Sequence, residues 1–319
     1  MKIVCSGSIA YDYLMTFPGY FKDHFLAEHL DKISLSFLVD SMTKQRGGIA
    51  PNIAYTLALL GERPIVYGTV GEDFGDYRAW LDAQGIDTSH IKTITGKFTA
   101  SFFANTDLNN NQIASFYTGA MAHASELSLK EFGSQTPDLV VISPDDPTAM
   151  RERARECKAL GIPYLFDPSQ QIARNEAADL REGVEGATSL FVNEYEYELL
   201  QKRTGLTSEQ IKKAVKFAVV TCGERGALIF EGDKTHLIDA VPVDEILDPT
   251  GVGDAFRGGF LRGMSLGVDY ETCGRMGSLA AAYCLEQRGT QNHHYTPVEF
   301  LARYRKHFDD HGKLDALVS

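Results

Sequence analysis

Residues 248–260 read DPTGVGDAFRGGF, which sets Gly251 and Gly253 just ahead of the carboxylate Asp254, with an apolar segment of helical pattern behind it. If Asp254 falls in the first turn of that helix, the N–H groups of Gly251, Val252 and Gly253 converge with the positive end of the helix dipole. Such a nest suits the charge that develops on a phosphoryl group in transfer. A carboxylate beside it can take the proton of an attacking hydroxyl. The plainer role of Asp254, a stabilising charge at a helix N-terminus, fits the same residues. A second stretch, GGIAPN at 47–52, puts two glycines before another helix, with Pro51 in the first turn, where its missing N–H has no helical partner to lose. A backbone without side chains there admits a ligand hydroxyl or phosphate, or simply gives a loop its entry into a helix.

Rival chemistries fail on spacing. A dinucleotide fingerprint needs a third glycine where Phe256 stands, and the stretch lies far from the first strand. No G-x-x-x-x-G-K-[ST], H-E-x-x-H or G-x-S-x-G occurs, and the adjacent His293 and His294 suit a metal poorly.

The elements that must position these residues alternate. KIVCSG, PIVYGTVG, DLVVIS, PYLFD and SLFVN are short, continuous apolar runs, as expected of a mainly parallel sheet covered on both faces. Between them PNIAYTLALLG, DYRAWLDAQG, TAMRERARECKALG and EYEYELLQKRTG are helical in pattern, and each stops on glycine. The expectation is one domain over residues 1–319, a doubly wound α/β core. Two stretches break the rhythm. Residues 13–46 partly alternate polar and apolar, and residues 97–118 read as two strands around the turn DLNNN. Both are expected to form a small β-sheet lid over the core, with Gly47 and Gly48 at one joint.

Composition limits the partners. With 319 residues, 44% hydrophobic and 23% charged, the chain has the profile of a soluble globular protein. A formal net charge of −12 disfavours nucleic acid or an anionic membrane as the main partner, so any anion site must be built locally. The N-terminus carries no secretory pattern, and no run approaches a membrane span. Five scattered cysteines suit reduced thiols in the cytoplasm.

GGIAPN, NEYE at 193–196, TCGERG at 221–226 and DPTGVGDAF, in that order and spacing, resemble the ribokinase-like (PfkB) sugar and nucleoside kinases over essentially the whole chain. Within that family GSIAYD, SLSFLVD, NQIASFYTGAMA, DPSQQIAR and RGTQ are most similar to bacterial adenosine kinases. The resemblance implies that Asp254 is the general base for a ribose 5′-hydroxyl and that Gly251, Val252 and Gly253 form the anion hole. It further implies that Asn193 and Glu196 organise Mg²⁺, Glu196 indirectly through water, while Thr221, Gly223 and Gly226 line the ATP site and Arg174 reaches the phosphates. Asp12, Asn52 and the Gly48 backbone would hold ribose hydroxyls. Ser8, Gln170 and Gln171 would lie near the nucleoside, and Phe102 and Phe116 would stack on its base. The loop EQRGTQ around Gly289 resembles the family's monovalent-cation loop, which implies K⁺, and the lid sheet of related kinases pairs across a homodimer.

Physical chemistry agrees with several of these roles. A carboxylate such as Asp12, expected at the end of the first strand, can accept two hydroxyl donors of a diol. Two aromatic rings on a hairpin can clasp a flat base, offset stacking adding about 0.5–1.5 kcal/mol per ring. Plainer readings stand beside them. Phe102 and Phe116 also fit the buried face of the hairpin, Gln170 and Gln171 a loop, Asn193 and Glu196 a helix cap, and residues 221–226 a turn between strands. Val252 stands where the family has alanine and Pro51 where small residues are usual, and neither removes a group the chemistry needs. The expected activity is ATP-dependent phosphorylation of adenosine to AMP. A broader nucleoside kinase, a ribokinase- or fructokinase-type sugar kinase, and a non-catalytic nucleoside-binding regulator are the alternatives. The paired phenylalanines favour a base, and the intact Asp254 and N-x-x-E pair favour a working enzyme.

Overall fold

The computed structural model describes residues 1–24 and 34–318, so part of the first stretch assigned to the lid, residues 25–33, lies outside the described residues. The five apolar runs become β1 (Ile3–Ser6), β4 (Ile65–Val70), β8 (Leu139–Ile142), β9 (Tyr164–Phe166) and β10 (Ser189–Asn193). They lie side by side in parallel, in the order β10-β9-β8-β1-β4. Parallel β5 (Ile91–Thr93) and β11 (Phe217–Thr221) flank them, and antiparallel β12 (Ala227–Glu231) and β13 (Lys234–Ile238) complete nine strands.

The two-residue period of these strands sorts their side chains between two cores. Ile3, Cys5, Val66, Leu139 and Val141 pack with α1 (Ile49–Leu59), α7 (Val252–Leu266) and α8 (Tyr270–Leu285) on one face. Val4, Ile65, Tyr67, Val140 and Ile142 pack on the other with α3 (Pro147–Leu160), α4 (Ala177–Gly186), α5 (Glu194–Thr204) and α6 (Ser208–Ala214). This double burial is why the strands read as unbroken apolar runs. All five cysteines are free and buried, and no helix among the described residues is long and apolar enough to cross a membrane.

The two irregular stretches form one separate sheet ordered β3-β2-β6-β7. Its strands are β2 (Ala10–Thr16), β3 (Ser41–Gly47), β6 (Ala100–Thr106) and β7 (Gln112–Tyr117). β6 and β7 make the expected hairpin, with Phe102 directly opposite Phe116. One placement is corrected. Asp12 is not at the end of the first strand but in the middle of β2, because β1 stops at Ser6 and the chain enters the small sheet at Ala10.

Candidate active site

Asn193 and Thr221 close β10 and β11 as register partners, and Ser8 and Ser169 lie in the loops after β1 and β9. Ligands of open α/β sheets gather at these carboxyl ends. Here the ends, the N-termini of α1 and α7 and the small sheet enclose a cavity of about 580 Å³.

Its floor is the glycine motif. Gly251 caps α7 with φ 77°, so Val252, Gly253 and Asp254 form the first helical turn, as the spacing predicts. A Cβ on Gly251 would stand 2.8 Å from Cβ of Thr290, which leaves this position to glycine on both conformation and space. Gly48 caps α1 with φ 94°, and a Cβ there would come within 2.5 Å of the Ser8 carbonyl oxygen. The glycine pair thus lets the end of β3 and the turn after β1 meet beside the cavity.

Asp254 receives a hydrogen bond on Oδ2 from Asn52 Nδ2 at 2.8 Å, and among the described residues its Oδ1 has no protein partner. Burial pushes its pKa up to about 7; Arg257 and the Asn52 amide oppose that, while Asp167 and Glu196 add to it. Arg257 is the cation of the floor. Its Nη1 donates to the Gly253 carbonyl at 2.9 Å and its Nη2 to Asp167 Oδ1 at 2.6 Å, Arg257 and Asp167 both being buried. Burial alone would lower the arginine pKa; Asp167 and Asp254 hold it raised. Elsewhere in the cavity lining burial lifts Asp12 to about 6, helped by Asp248. A carboxylate poised near neutrality beside the N-terminus of α7 and a fixed guanidinium can move a proton from a hydroxyl while an anion rests on the helix end.

The structure brings most of the predicted residues together. Ser8, Asp12, Gly48, Asn52, Phe102, Phe116, Gln170, Asn193, Glu196, Thr221, Gly223, Gly251, Gly253 and Asp254 all line the cavity. Val252 and Gly226 line a smaller neighbouring pocket of about 140 Å³, which shares Thr221, Gly223 and Gly253 with the first and is walled by Val241, Phe256 and Leu285. Gln171 and Arg174 line neither. Gln171 is buried and donates to the Asp145 carbonyl at 2.7 Å, so it braces the loop after β9; Arg174 is exposed.

The plainer reading of Asn193 and Glu196 also holds. They form a capping box, Asn193 Oδ1 accepting from the Glu196 N–H and Glu196 Oε2 from the Asn193 N–H, each at 2.8 Å. The other Glu196 oxygen accepts from Ser169 Oγ at 3.1 Å. The cap thereby fixes both side chains at the cavity wall. Sequence reasoning passed over Arg257, Ser169 and Thr290, which also line the cavity. Arg257 carried a usable signal, since it follows Asp254 by three residues and so shares its helix face. Ser169 carried none in sequence; its φ of 39° is unusual for a residue other than glycine.

Comparisons with known proteins bear on this geometry. The profile of the pfkB family carbohydrate kinases matches residues 6–297. The nucleoside kinase of Methanocaldococcus jannaschii is 30% identical over 309 residues, covering 96% of this chain and 97% of that protein. Among solved structures, the nucleoside kinase of Burkholderia thailandensis in complex with inosine is 36% identical, with a TM-score of 0.86 over 97% of this chain and 99% of that one. The ribokinase of Arabidopsis thaliana complexed with ribose and ATP, at 21% identity and a TM-score of 0.79, shares the fold. A profile that spans nearly the whole chain, on this fold and around this floor, has one consequence: the chain belongs to the pfkB family of carbohydrate kinases, phosphotransferases with an alcohol acceptor.

Proposed function

We propose that this protein is a nucleoside kinase that transfers the γ-phosphoryl group of ATP to the 5′-hydroxyl of a purine nucleoside, adenosine giving AMP, in cytoplasmic purine salvage. The observation that carries this reading is the pairing, within one cavity, of Asp254 beside the α7 N-terminus with Phe102 and Phe116, cross-strand neighbours on one face of the small sheet. A sugar has no need of two ring faces; a base does. The carboxylate of Asp12 and the Asn52 amide suit ribose hydroxyls, and Ser8 and Gln170 stand near enough to address the rest of the nucleoside.

In this mechanism Asp254 Oδ1 accepts the 5′-hydroxyl proton as the oxygen attacks the γ-phosphorus and the ADP oxygen leaves. The N–H groups of Gly251, Val252 and Gly253, with Arg257 beneath them, stabilise the charge on the transferring group. Thr221, Gly223 and Gly226 would border the nucleotide, whose adenine suits the apolar 140 Å³ pocket. Among the described residues no group of three or more His, Cys, Asp or Glu side chains could hold a metal ion. A magnesium ion would therefore be held chiefly by the phosphates, with Glu196 reached through water, and would supply neutralising charge when bound. Closure of the small sheet as a lid would keep water from competing as acceptor.

The loop 286–291, whose Gly289 N–H donates to Asp248 at 2.9 Å, is the place for a K⁺ effect. Exposed Met42, Phe103 and Ile113 support pairing of two copies through the small sheet. A broader nucleoside range is equally supported, the specific observation being the relative that binds inosine.

The test is a screen of nucleosides and sugars with ATP and Mg²⁺, with and without K⁺, read as ADP release. Higher kcat/KM for ribose than for every nucleoside would overturn the reading, and no ADP release with any acceptor would favour a binding protein. Phe102→Ala is expected to raise KM for adenosine about tenfold, the order of one lost stacking contact plus its buried area, and to leave KM for ribose nearly unchanged. Equal effects on both would show that the ring is packing and not a base platform.

A further inference from the structure

Behind Asp254 runs a chain of buried polar groups that touches no part of the cavity beyond Asn52. Asn52 is 4% exposed, Gln291 2% and Tyr77 1%. Asn52 gives its amide N–H to Asp254 Oδ2 at 2.8 Å, and its Oδ1 accepts from Gln291 Nε2 at 2.7 Å. The same Gln291 nitrogen donates to the Tyr77 oxygen at 2.6 Å, and the Tyr77 hydroxyl donates to the Gly47 carbonyl at 3.0 Å.

The polarity of this chain is dictated from its two ends. An ionised carboxylate only accepts, so Asn52 must turn its nitrogen to Asp254 and its oxygen away. That oxygen needs a donor, which is the Gln291 amide. A carbonyl only accepts, so the tyrosine hydroxyl must point at Gly47 and present its lone pairs to the second N–H of Gln291. Reversing any amide would set like against like in a buried place, at a cost of about 1–3 kcal/mol for each group left unpaired. Tyr77 belongs to α2 (Gly75–Ala83), Gly47 ends strand β3 of the small sheet, and Gln291 lies in the loop after α8, which is also tied to β3 by Thr290 Oγ1 donating to the Arg46 carbonyl at 3.0 Å.

We propose that Gln291 and Tyr77 are positioning residues for phosphoryl transfer: through Asn52 they hold Asp254 Oδ2 fixed, leave Oδ1 as the proton-accepting oxygen, and anchor the base to Gly47, the last residue of strand β3 in the small sheet. The inference rests on the nucleoside kinase reading for the identity of the acceptor, but not for the hydrogen-bond chain itself. The groups facing Asp254 from its neighbours are Arg257 on its own helix, Asp167 after β9, Glu196 on α5 and Cys284 on α8; those around Tyr77 are Arg46, Tyr11 and Asp12. None of them donates to Asp254 Oδ2, so the Asn52 bond is the directional contact that favours the ionised form.

The experiment is a ¹³C NMR titration of aspartate-labelled protein, the Asp254 signal being assigned by its loss in Asp254→Asn, together with the pH profile of kcat. Gln291→Leu frees Asn52 to rotate, so Asp254 is expected to titrate at higher pH than in the parent. The acidic limb of kcat is expected to move up with it, with kcat at pH 7 down roughly tenfold and nucleoside KM changed less than twofold. Tyr77→Phe keeps the Asn52–Gln291 amide pair but loses the oxygen that accepts from Gln291 and donates to Gly47, so it should move both readouts the same way by less. Should Gln291→Leu fail to fold, Tyr77→Phe carries the test. A folded variant with the parental titration and pH profile overturns the proposal, and a drop in kcat with an unmoved titration shows packing without positioning. A parent inactive on nucleosides would instead overturn the functional reading while the titration still decides the relay.

Discussion

Asp254→Asn is expected to lower kcat by about 10²–10⁴-fold, the range that a lost general base produces, while KM for the nucleoside moves little. Asparagine keeps the size of the side chain and can still accept from Asn52, so the floor stays intact and only the basic oxygen is lost. ADP release under saturating substrates reads the effect directly, and a turnover near that of the parent would remove Asp254 from the mechanism. The pH profile carries an independent signature. Burial places the Asp254 pKa at about 7, so the parent should lose activity as pH falls through that value and the base becomes protonated. Stability runs the other way. A carboxyl whose folded pKa is raised above the usual value of about 3.9 binds more protons in the folded state, so its contribution to stability is present at low pH and is lost as pH rises from about 4 through 7. Asp254→Asn should therefore raise Tm relative to the parent at pH 8 and much less so at pH 5. A carboxylate held near neutrality at a stability cost is the mark of a group retained for chemistry.

Most of the frame was legible because its determinants are local. The five apolar runs had to be strands buried on both faces, and four helices end at the glycines their patterns offered. The small sheet was legible as an alternating appendage and as a hairpin with Phe102 and Phe116 on its two strands, while their direct pairing emerged only in the fold. Asp12 was misplaced for a physical reason: nothing in GSIAYD distinguishes one strand that runs on from two strands joined at Gly7, and only the packing of β2 between β3 and β6 decides it. Gln171 illustrates a different limit. Two adjacent glutamines are equivalent in sequence, yet in the short turn at 169–173 they point apart, Gln170 to the cavity and Gln171 to the Asp145 carbonyl. The relay through Gln291 and Tyr77 was illegible because its members lie 25 to 239 positions from Asn52, and no periodicity links residues that meet only in the folded chain.

Arg174, expected to reach the phosphates, is exposed and lines neither pocket. The fixed positive charge in the floor is Arg257, clamped between Asp167 and the Gly253 carbonyl, a residue not singled out in the sequence. Arg257→Met is expected to destabilise the protein by about 3–5 kcal/mol, because it strands the Asp167 carboxylate, 1% exposed, without its counter-ion. Adding Asp167→Asn removes the stranded charge and should recover a large part of that loss, since a buried pair replaced on both sides costs far less than one broken on a single side. Urea unfolding of the parent, the two single variants and the double variant measures the coupling. Additive single effects would show that the pair does not share its charge. Activity should not recover with stability: the double variant regains its fold yet lacks the guanidinium beneath Gly253, so its kcat is expected to stay about 10²-fold below the parent, as for other groups aimed at developing charge. Parallel recovery of both would make Arg257 a structural strut. Recovery of stability alone assigns the acidic chain's local compensation for phosphate charge to the residue one turn behind its base.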